Sequence, residues 1–315
     1  MEPLVSIIIP VYNGENYMRE AIDSALAQTY KNIEVIVIND GSNDGGKTDE
    51  IAVSYGEKIR YFKKENGGVS SALNLGIEKM QGEYFSWLSH DDAYTSDKIQ
   101  KSVEALKNCT DKNVLVYCRS VHIDKNSVPL KSKKNNTEGE SKFISWEEGL
   151  RELFEVGAYG GCNFLIPKSA FDISGGFNED LRFIQDVVMW NKMFFNKFSV
   201  LKIPDVCVMS RIHSNQLTQT GQSLLKTEMK MVSDYMISEY LKISTRENNY
   251  IKAYALDCAK NNIKSNFKKA IKATQGSGLI TTFDKIEIFM MHGYGKVRPF
   301  IRRLYYRLFR NIKTS

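Results

Sequence analysis

Along the first two hundred positions, apolar residues fall in short runs separated by polar, glycine-rich stretches. Leu4–Ile9, Ile33–Ile38, Tyr84–Leu88 and Val114–Cys118 are rich in Val, Ile, Leu and aromatic side chains. Runs this short and continuous predict strands buried on both faces. Between them the apolar positions recur three and four apart. Tyr17, Ala21, Ile22, Ala25 and Leu26 mark a helix over Glu15–Gln28, and similar spacing predicts helices over Thr48–Tyr55, Val69–Met80 and Asp97–Asn108. Ile59–Phe62, Phe164–Pro167 and Val206–Met209 read as further strands, and 146–156 and Ile184–Phe195 as further helices. Lys125–Lys142 is polar and reads as a surface loop or hairpin tip. Strands alternating with helices predict an α/β fold whose sheet is mostly parallel and covered on both faces. From about Leu224 the strand pattern stops. Helical spacing rich in Met, Lys and Tyr takes over, with Leu256, Ala259, Ile263, Phe267 and Ala270 as one stripe. The expected organisation is a domain over 1–223 and a C-terminal helical extension over 224–315.

The strands exit through turns that share one edge of a parallel sheet, where ligands gather. These are Val11-Tyr12-Asn13-Gly14, Asn39-Asp40-Gly41-Ser42, Glu65-Asn66-Gly67-Gly68 and Ser89-His90-Asp91-Asp92. Mg²⁺ and Mn²⁺ prefer oxygen ligands and commonly bridge one or two carboxylates to a phosphate, so Asp91-Asp92 is a candidate cation site. Taken alone, such a pair is more often an acidic turn capping the next helix. Asp186 falls in the first turn of a predicted helix, where the dipole favours an ionised acid. Tyr12 suits a strand end or a stacked base, Asp40 is a common turn acid, and His213 an ordinary loop histidine. His90 is expected to be a spacer pointing away from the cation.

Composition narrows the picture. Hydrophobic content of 42% and charged content of 25% describe a globular chain. The five cysteines form no Cys-x-x-Cys pair and are odd in number, so a disulfide framework or zinc site is not expected and a reducing cytoplasm is. No membrane span or signal peptide is read. The net charge of +6 is uneven: Lys296, Arg298, Arg302, Arg303, Arg307, Arg310 and Lys313 lie in 296–313, which holds no acid. The rest is near neutral, so nucleic-acid binding is not indicated. Phe300, Ile301, Leu304, Tyr305, Leu308, Phe309 and Ile312 share the other side of that segment at helical spacing. A basic amphipathic helix suits an anionic membrane surface, although docking on its own protein and a homodimer contact fit the same pattern.

Taken in order over residues 4–213, with Leu-Gly-Ile after Asn74 and Gly82-Glu83-Tyr84, these turns make the chain resemble the inverting family 2 glycosyltransferases of GT-A fold. The resemblance implies a nucleotide-sugar donor, UDP-linked, a glycan or lipid-linked acceptor, and Mn²⁺ or Mg²⁺. It gives Pro10, Val11, Tyr12 and Asn13 to the nucleotide, and Asp40 to uracil or ribose. Asn66, Gly67 and Asn74 would lie beside the ribose and diphosphate. Asp91, with His90 beside it, would face the donor. Asp91, Asp92 and His213 would hold the metal, and Arg211 would close on the diphosphate. Asp186 matches the catalytic base of the family's Glu-Asp pair. Three positions depart from the pattern: Ser89 replaces the first acid of Asp-x-Asp, Leu73 an Arg, and Gln185 the first acid of the base pair.

The resemblance implies inverting sugar transfer in bacterial surface-polysaccharide synthesis, in the cytoplasm or peripherally on the inner face of the membrane. A sugar-phosphate nucleotidyltransferase is the nearest alternative, but the turn after the first strand carries no Lys or Arg. Ser89 and Gln185 leave room for a non-catalytic nucleotide- or glycan-binding protein. A dinucleotide oxidoreductase is disfavoured because no Gly-x-Gly-x-x-Gly follows the first strand.

Overall fold

The computed structural model describes residues 2–107, 109–130, 139–156, 159–214, 216, 221–282 and 284–293. The basic segment 296–313 and positions 131–138 of the polar loop lie outside the described residues. The chain divides into two compact units, Met1–Gln222 and Ser223–Ser315.

The first unit is built on a nine-stranded sheet. Its strands are β1 Val5–Val11, β2 Ile33–Asp40, β3 Arg60–Lys64, β4 Tyr84–Trp87, β5 Ala93–Tyr94, β6 Val114–Ile123, β7 Lys142–Ile144, β8 Phe164–Pro167 and β9 Ser199–Arg211. They run in the order β3-β2-β1-β4-β8-β6-β9-β5, with β7 also on β9. The long ladders are parallel: β1 on β2 and β4, β2 on β3, and β6 on β9. The antiparallel pairings are short, two or three residue pairs each. Helices α1 Met18–Leu26, α2 Lys47–Val53, α3 Val69–Lys79, α4 Lys98–Lys107, α5 Trp146–Val156, α6 Lys168–Ser174 and α7 Gln185–Phe195 complete the unit. Every residue of β1 is buried, as the unbroken apolar run requires.

The differences from expectation have local causes. β1 and β2 run on through Pro10, Val11, Asn39 and Asp40, so these residues sit on strands and not in turns. β9 spans thirteen residues where only Val206–Met209 was expected. Its first half is interrupted by half-exposed Lys202, Pro204 and Asp205, opposite a register shift at Tyr117–Ser120 of β6. Such a bulge breaks the two-residue alternation on which a strand is recognised. β5, β7 and the seven-residue α6 are too short to leave a periodic signal. After β6, Leu130 N–H donates to the His122 carbonyl at 2.8 Å, closing a hairpin.

The second unit holds α8 Gln222–Met231, α9 Ser233–Ile243, α10 Tyr250–Lys260, α11 Lys264–Ala273 and a helix over 284–293. The expected single stripe is two faces. The chain breaks at Asn262, which has φ +59°, and α10 turns Tyr250, Ile251, Tyr254, Ala255 and Cys258 inward while Leu256 is only half-buried.

Candidate active site

The exits of β1 and β2 are bolted together. Asn13, at φ +53°, donates its N–H to Ser42 Oγ at 2.9 Å and accepts from Asn43 N–H at 2.9 Å. Tyr12 is 42% exposed beside them, with a long contact to Asn43 at 3.4 Å. Its ring is free to take a flat apolar partner. Val11 and Pro10 are buried beneath it.

Asp40 is 3% exposed. Its carboxylate accepts from Lys64 Nζ at 2.9 Å, Gly67 N–H at 2.9 Å and Gly68 N–H at 2.6 Å, while Asn66 Nδ2 donates to its carbonyl at 2.9 Å. The structure therefore uses Asp40 to latch the Asn66–Gly68 turn onto β2. A carboxylate carrying that many charge-assisted bonds has little left for uracil or ribose. Gly68 has φ +88°, and a Cβ there would fall 1.8 Å from the Arg182 guanidinium, so this crossing requires glycine.

Asn74 is likewise redirected. It accepts from Phe177 N–H at 2.8 Å and donates to the Phe177 carbonyl at 3.0 Å and to Glu179 at 2.8 Å. Ser70 Oγ reaches the Leu181 carbonyl at 3.2 Å. Both ends of the Asn74 amide are spent holding the 177–182 segment against α3, not a ribose. That segment leads directly into α7 and Asp186.

At the β4 exit, Asp91 Oδ2 meets His213 Nε2 at 3.0 Å. Burial alone would raise the Asp91 carboxyl, but the His90 charge and the His213 hydrogen bond outweigh it and hold it below its ordinary value. Asp92 does not face the same way. Its Oδ1 accepts from Arg211 N–H at 2.8 Å, and burial, reinforced by the Asp91 charge, pushes it up to about 7. His90 is half-buried against the Pro10 carbonyl, with its pKa lowered by burial.

Arg211 is corrected most sharply. It is 1% exposed, donating to Glu20 at 2.5 Å, the Asp91 carbonyl at 2.8 Å, Ser127 Oγ at 2.9 Å and the Asp124 carbonyl at 3.1 Å, with Tyr17 over its guanidinium at 4.5 Å. It clamps the loop that carries Asp91, with four of its five N–H donors turned to the protein. Asp91 and His213 converge as a cation site would need, and Asp92 backs that site without joining it. Among the described residues no three His, Cys, Asp or Glu side chains are placed to hold a metal ion by themselves. Asp91 and His213 are thus the residues that could hold a cation, as one carboxylate and one imidazole.

Asp186 opens α7, half-buried, accepting from Val187 N–H at 2.8 Å. Burial pushes its carboxyl up to about 6. Its helix is registered against β4 through aromatic rings: Trp87 on Phe177 at 6.0 Å and Phe177 on Trp190 at 6.4 Å, with Trp190 Nε1 donating to the Tyr159 carbonyl at 3.0 Å. Sequence reasoning missed Glu20, Lys64 and Lys98. Lys98 is fully buried, bonded to Ser86 Oγ and to the Phe164 carbonyl at 3.1 Å, 4.3 Å from the Tyr94 ring, and burial lowers it to about 8. Ser86 meets Tyr94 Oη at 2.9 Å, and Tyr94 donates to the Trp87 carbonyl at 2.5 Å, so Lys98 anchors the strand whose exit carries Asp91. Its signal was a lysine at an inward position of a helix, one step from Ile99.

Residues 6–173 match the model of glycosyl transferase family 2. The chain belongs to that family. It is 42% identical to an uncharacterized glycosyltransferase of Rickettsia typhi, covering 99% of this chain and 98% of that one. It is 43% identical to another from Rickettsia prowazekii, covering 90% and 95%. Among solved structures, S. aureus TarS 1-349 in complex with UDP-GlcNAc superposes with a TM-score of 0.64 at 16% identity, covering 82% of this chain and 72% of that one. TarS 1-349 in complex with UDP gives 0.56 at 14% identity, covering 87% and 92%. The family 2 domain here has the GT-A fold of those neighbours.

Proposed function

We propose that this glycosyltransferase moves a sugar from a UDP-sugar to a hydroxyl of a glycan or lipid-linked acceptor, with inversion, in building a bacterial surface polysaccharide. The observation that carries the reading is the pairing of two opposed features. Asp91 and His213 meet at the β4 exit, and Asp186, a carboxyl raised by burial, opens a helix tied to that strand through Phe177. The UDP and UDP-GlcNAc named for the TarS complexes support the choice of donor.

In this reading the nucleotide lies over Tyr12 and the Asn13–Asn43 bridge, against the turn that Asp40 latches. Asp91 and His213 would hold Mn²⁺ or Mg²⁺. Such a cation supplies Lewis-acid stabilisation of the charge that grows on the diphosphate. Asp186 accepts the proton of the acceptor hydroxyl as its oxygen bonds the anomeric carbon. The bond from that carbon to the diphosphate breaks, and its electron pair leaves with UDP. A base with pKa near 6 is ionised at neutral pH yet still basic enough for this transfer.

Turnover of UDP-sugars with and without Mn²⁺, read together with the anomeric configuration of the product, tests the proposal. Mn²⁺-stimulated turnover with an inverted anomer is expected. A retained anomer excludes Asp186 as an inverting base, and undiminished turnover in EDTA excludes the cation.

A further inference from the structure

The aromatic layer at the end of β4 leaves polar atoms unclaimed. In the first unit, three buried side-chain atoms have no hydrogen-bond partner among the described residues: Asp44 Oδ1, Trp87 Nε1 and Gln185 Oε1. Asp44 is held through its other oxygen, which accepts from Thr48 N–H at 3.1 Å and from Thr48 Oγ1 at 2.6 Å. The indole of Trp87 has no second polar atom. Trp87 and Gln185 are each only 7% exposed. A buried polar group left unpaired is costly, so one that a folded chain keeps calls for a cause.

Their positions narrow that cause. Trp87 ends β4, just ahead of the loop that carries Asp91, and Gln185 opens α7 as the residue before Asp186. The Trp87 indole backs onto Gly161, where a Cβ would collide with Cε3 and Cζ3. Those atoms lie on the side of the ring system away from Nε1, so the N–H edge is turned away from Gly161. Phe177 packs edge-on against this indole at 6.0 Å and against Trp190 of α7 at 6.4 Å. One ring thus ties together the two elements that carry the unpaired atoms.

We infer that Trp87 Nε1 and Gln185 Oε1 hold one hydroxyl of the transferred sugar and so help to select the donor. The inference rests on the roles proposed above for Asp91 and Asp186. In that reading the diphosphate lies at Asp91 and the proton acceptor is Asp186, and the transferred sugar is the part of the reactants that spans between them. The chain neighbours of both carboxylates are therefore placed at the sugar. A hydroxyl matches the pair chemically: its oxygen accepts from the indole N–H, and its proton goes to the amide oxygen. A phosphate or carboxylate has no proton to give Gln185 Oε1, and an ammonium has no lone pair for Trp87.

The test is calorimetric titration of the full chain with UDP, UDP-GlcNAc, UDP-glucose and UDP-galactose. Trp87→Phe and Gln185→Met should each weaken the best-bound UDP-sugar about five- to tenfold, the scale of one hydrogen bond between neutral groups. UDP affinity should stay near wild type in both. The double variant should lose less than the sum of the two, since both act on one hydroxyl. Gln185→Met removes an atom that has no partner in the free protein, so its melting temperature should hold or rise. With isotope-labelled indole nitrogens, the Trp87 resonance, identified by its loss in Trp87→Phe, should shift further with the UDP-sugar than with UDP. Equal losses for UDP and UDP-sugar overturn the inference, because the pair would then act only on the nucleotide. So does a lower melting temperature in Gln185→Met, which would mean that Gln185 is already paired. A wild type that binds no UDP-sugar overturns the donor reading and this inference with it, whereas failure of this inference alone shows only in the variants.

Discussion

The two walls of the candidate site are built on opposite terms. On the β2–β3–α3 side, the polar side chains read as ligand contacts are spent on the protein: Asp40 on Lys64, Gly67 and Gly68, and Asn74 on Phe177 and Glu179. On the β4–α7 side the carboxylates are shifted in their ionisation, Asp91 down and Asp92 and Asp186 up. Asp91 has His213 as its principal side-chain partner, and Asp186 accepts from local backbone N–H groups and is raised to about 6 by burial. Saturated polar groups fix a shape, whereas titratable groups with shifted ionisation are the candidates for chemistry. The comparison predicts that substitutions on the first wall cost stability and donor affinity, and on the second wall rate.

The largest effect should come from Asp186→Asn, which keeps shape and removes the proton acceptor. General-base catalysis contributes ~10²–10⁴-fold, so transfer should fall by that order while UDP affinity, measured by calorimetry, stays near wild type. A variant that loses affinity but keeps its rate would move Asp186 to the donor wall. Arg211→Ala comes next, although it removes no ligand contact. Breaking a buried ion pair costs about 3–5 kcal/mol. The exposed side of Glu20 moderates that figure, so the lower end is expected in urea unfolding. Retained stability with lost diphosphate affinity would restore Arg211 to the ligand.

Asp91→Ala and Asp40→Asn divide the walls directly. Without Asp91, Mn²⁺ should no longer strengthen UDP binding, and affinity in EDTA should be unchanged. Asp40→Asn should weaken UDP equally with and without Mn²⁺, because its effect runs through the Asn66–Gly68 turn, and the variant should melt lower. A metal-specific defect in Asp40→Asn would erase the distinction.

Much of this was legible in the chain. Apolar runs located the central strands, and the order of turns pointed to the sheet edge where Asp91 and His213 meet. Pairing was not legible. Asp40, Asn74 and Arg211 have the residue types that bind nucleotides, and the same types make the strongest internal brackets. Which use wins depends on partners distant in sequence, 103 residues away for Phe177 and 191 for Glu20. Lys98 was hidden for a related reason. A lysine in a helix reads as solvated until the fold supplies Ser86, Phe164 and Tyr94 around it.

The smallest effect discriminates most finely, because it follows one carboxyl through two measurements. Asp186 must be ionised to accept a proton, so kcat/KM should be level above about pH 6 and fall roughly tenfold per unit below it. Stability should move in the opposite sense. Burial raises the folded-state value from 3.8 to about 6, so the folded state binds the proton more tightly than the unfolded chain. Below the unfolded value the carboxyl is neutral in both states and carries no penalty. As pH rises from about 4 through about 6, ionisation in the buried position costs stability. Asp186→Asn is neutral throughout. Its melting temperature should match wild type near pH 4 and exceed it near pH 7, with the gap opening across the range where wild-type activity appears. Asp92, also raised, titrates in both proteins and cancels in the difference. A gap of equal size at both pH values would mean that the penalty is not Asp186 ionisation, and the contrast between the walls would lose its physical basis.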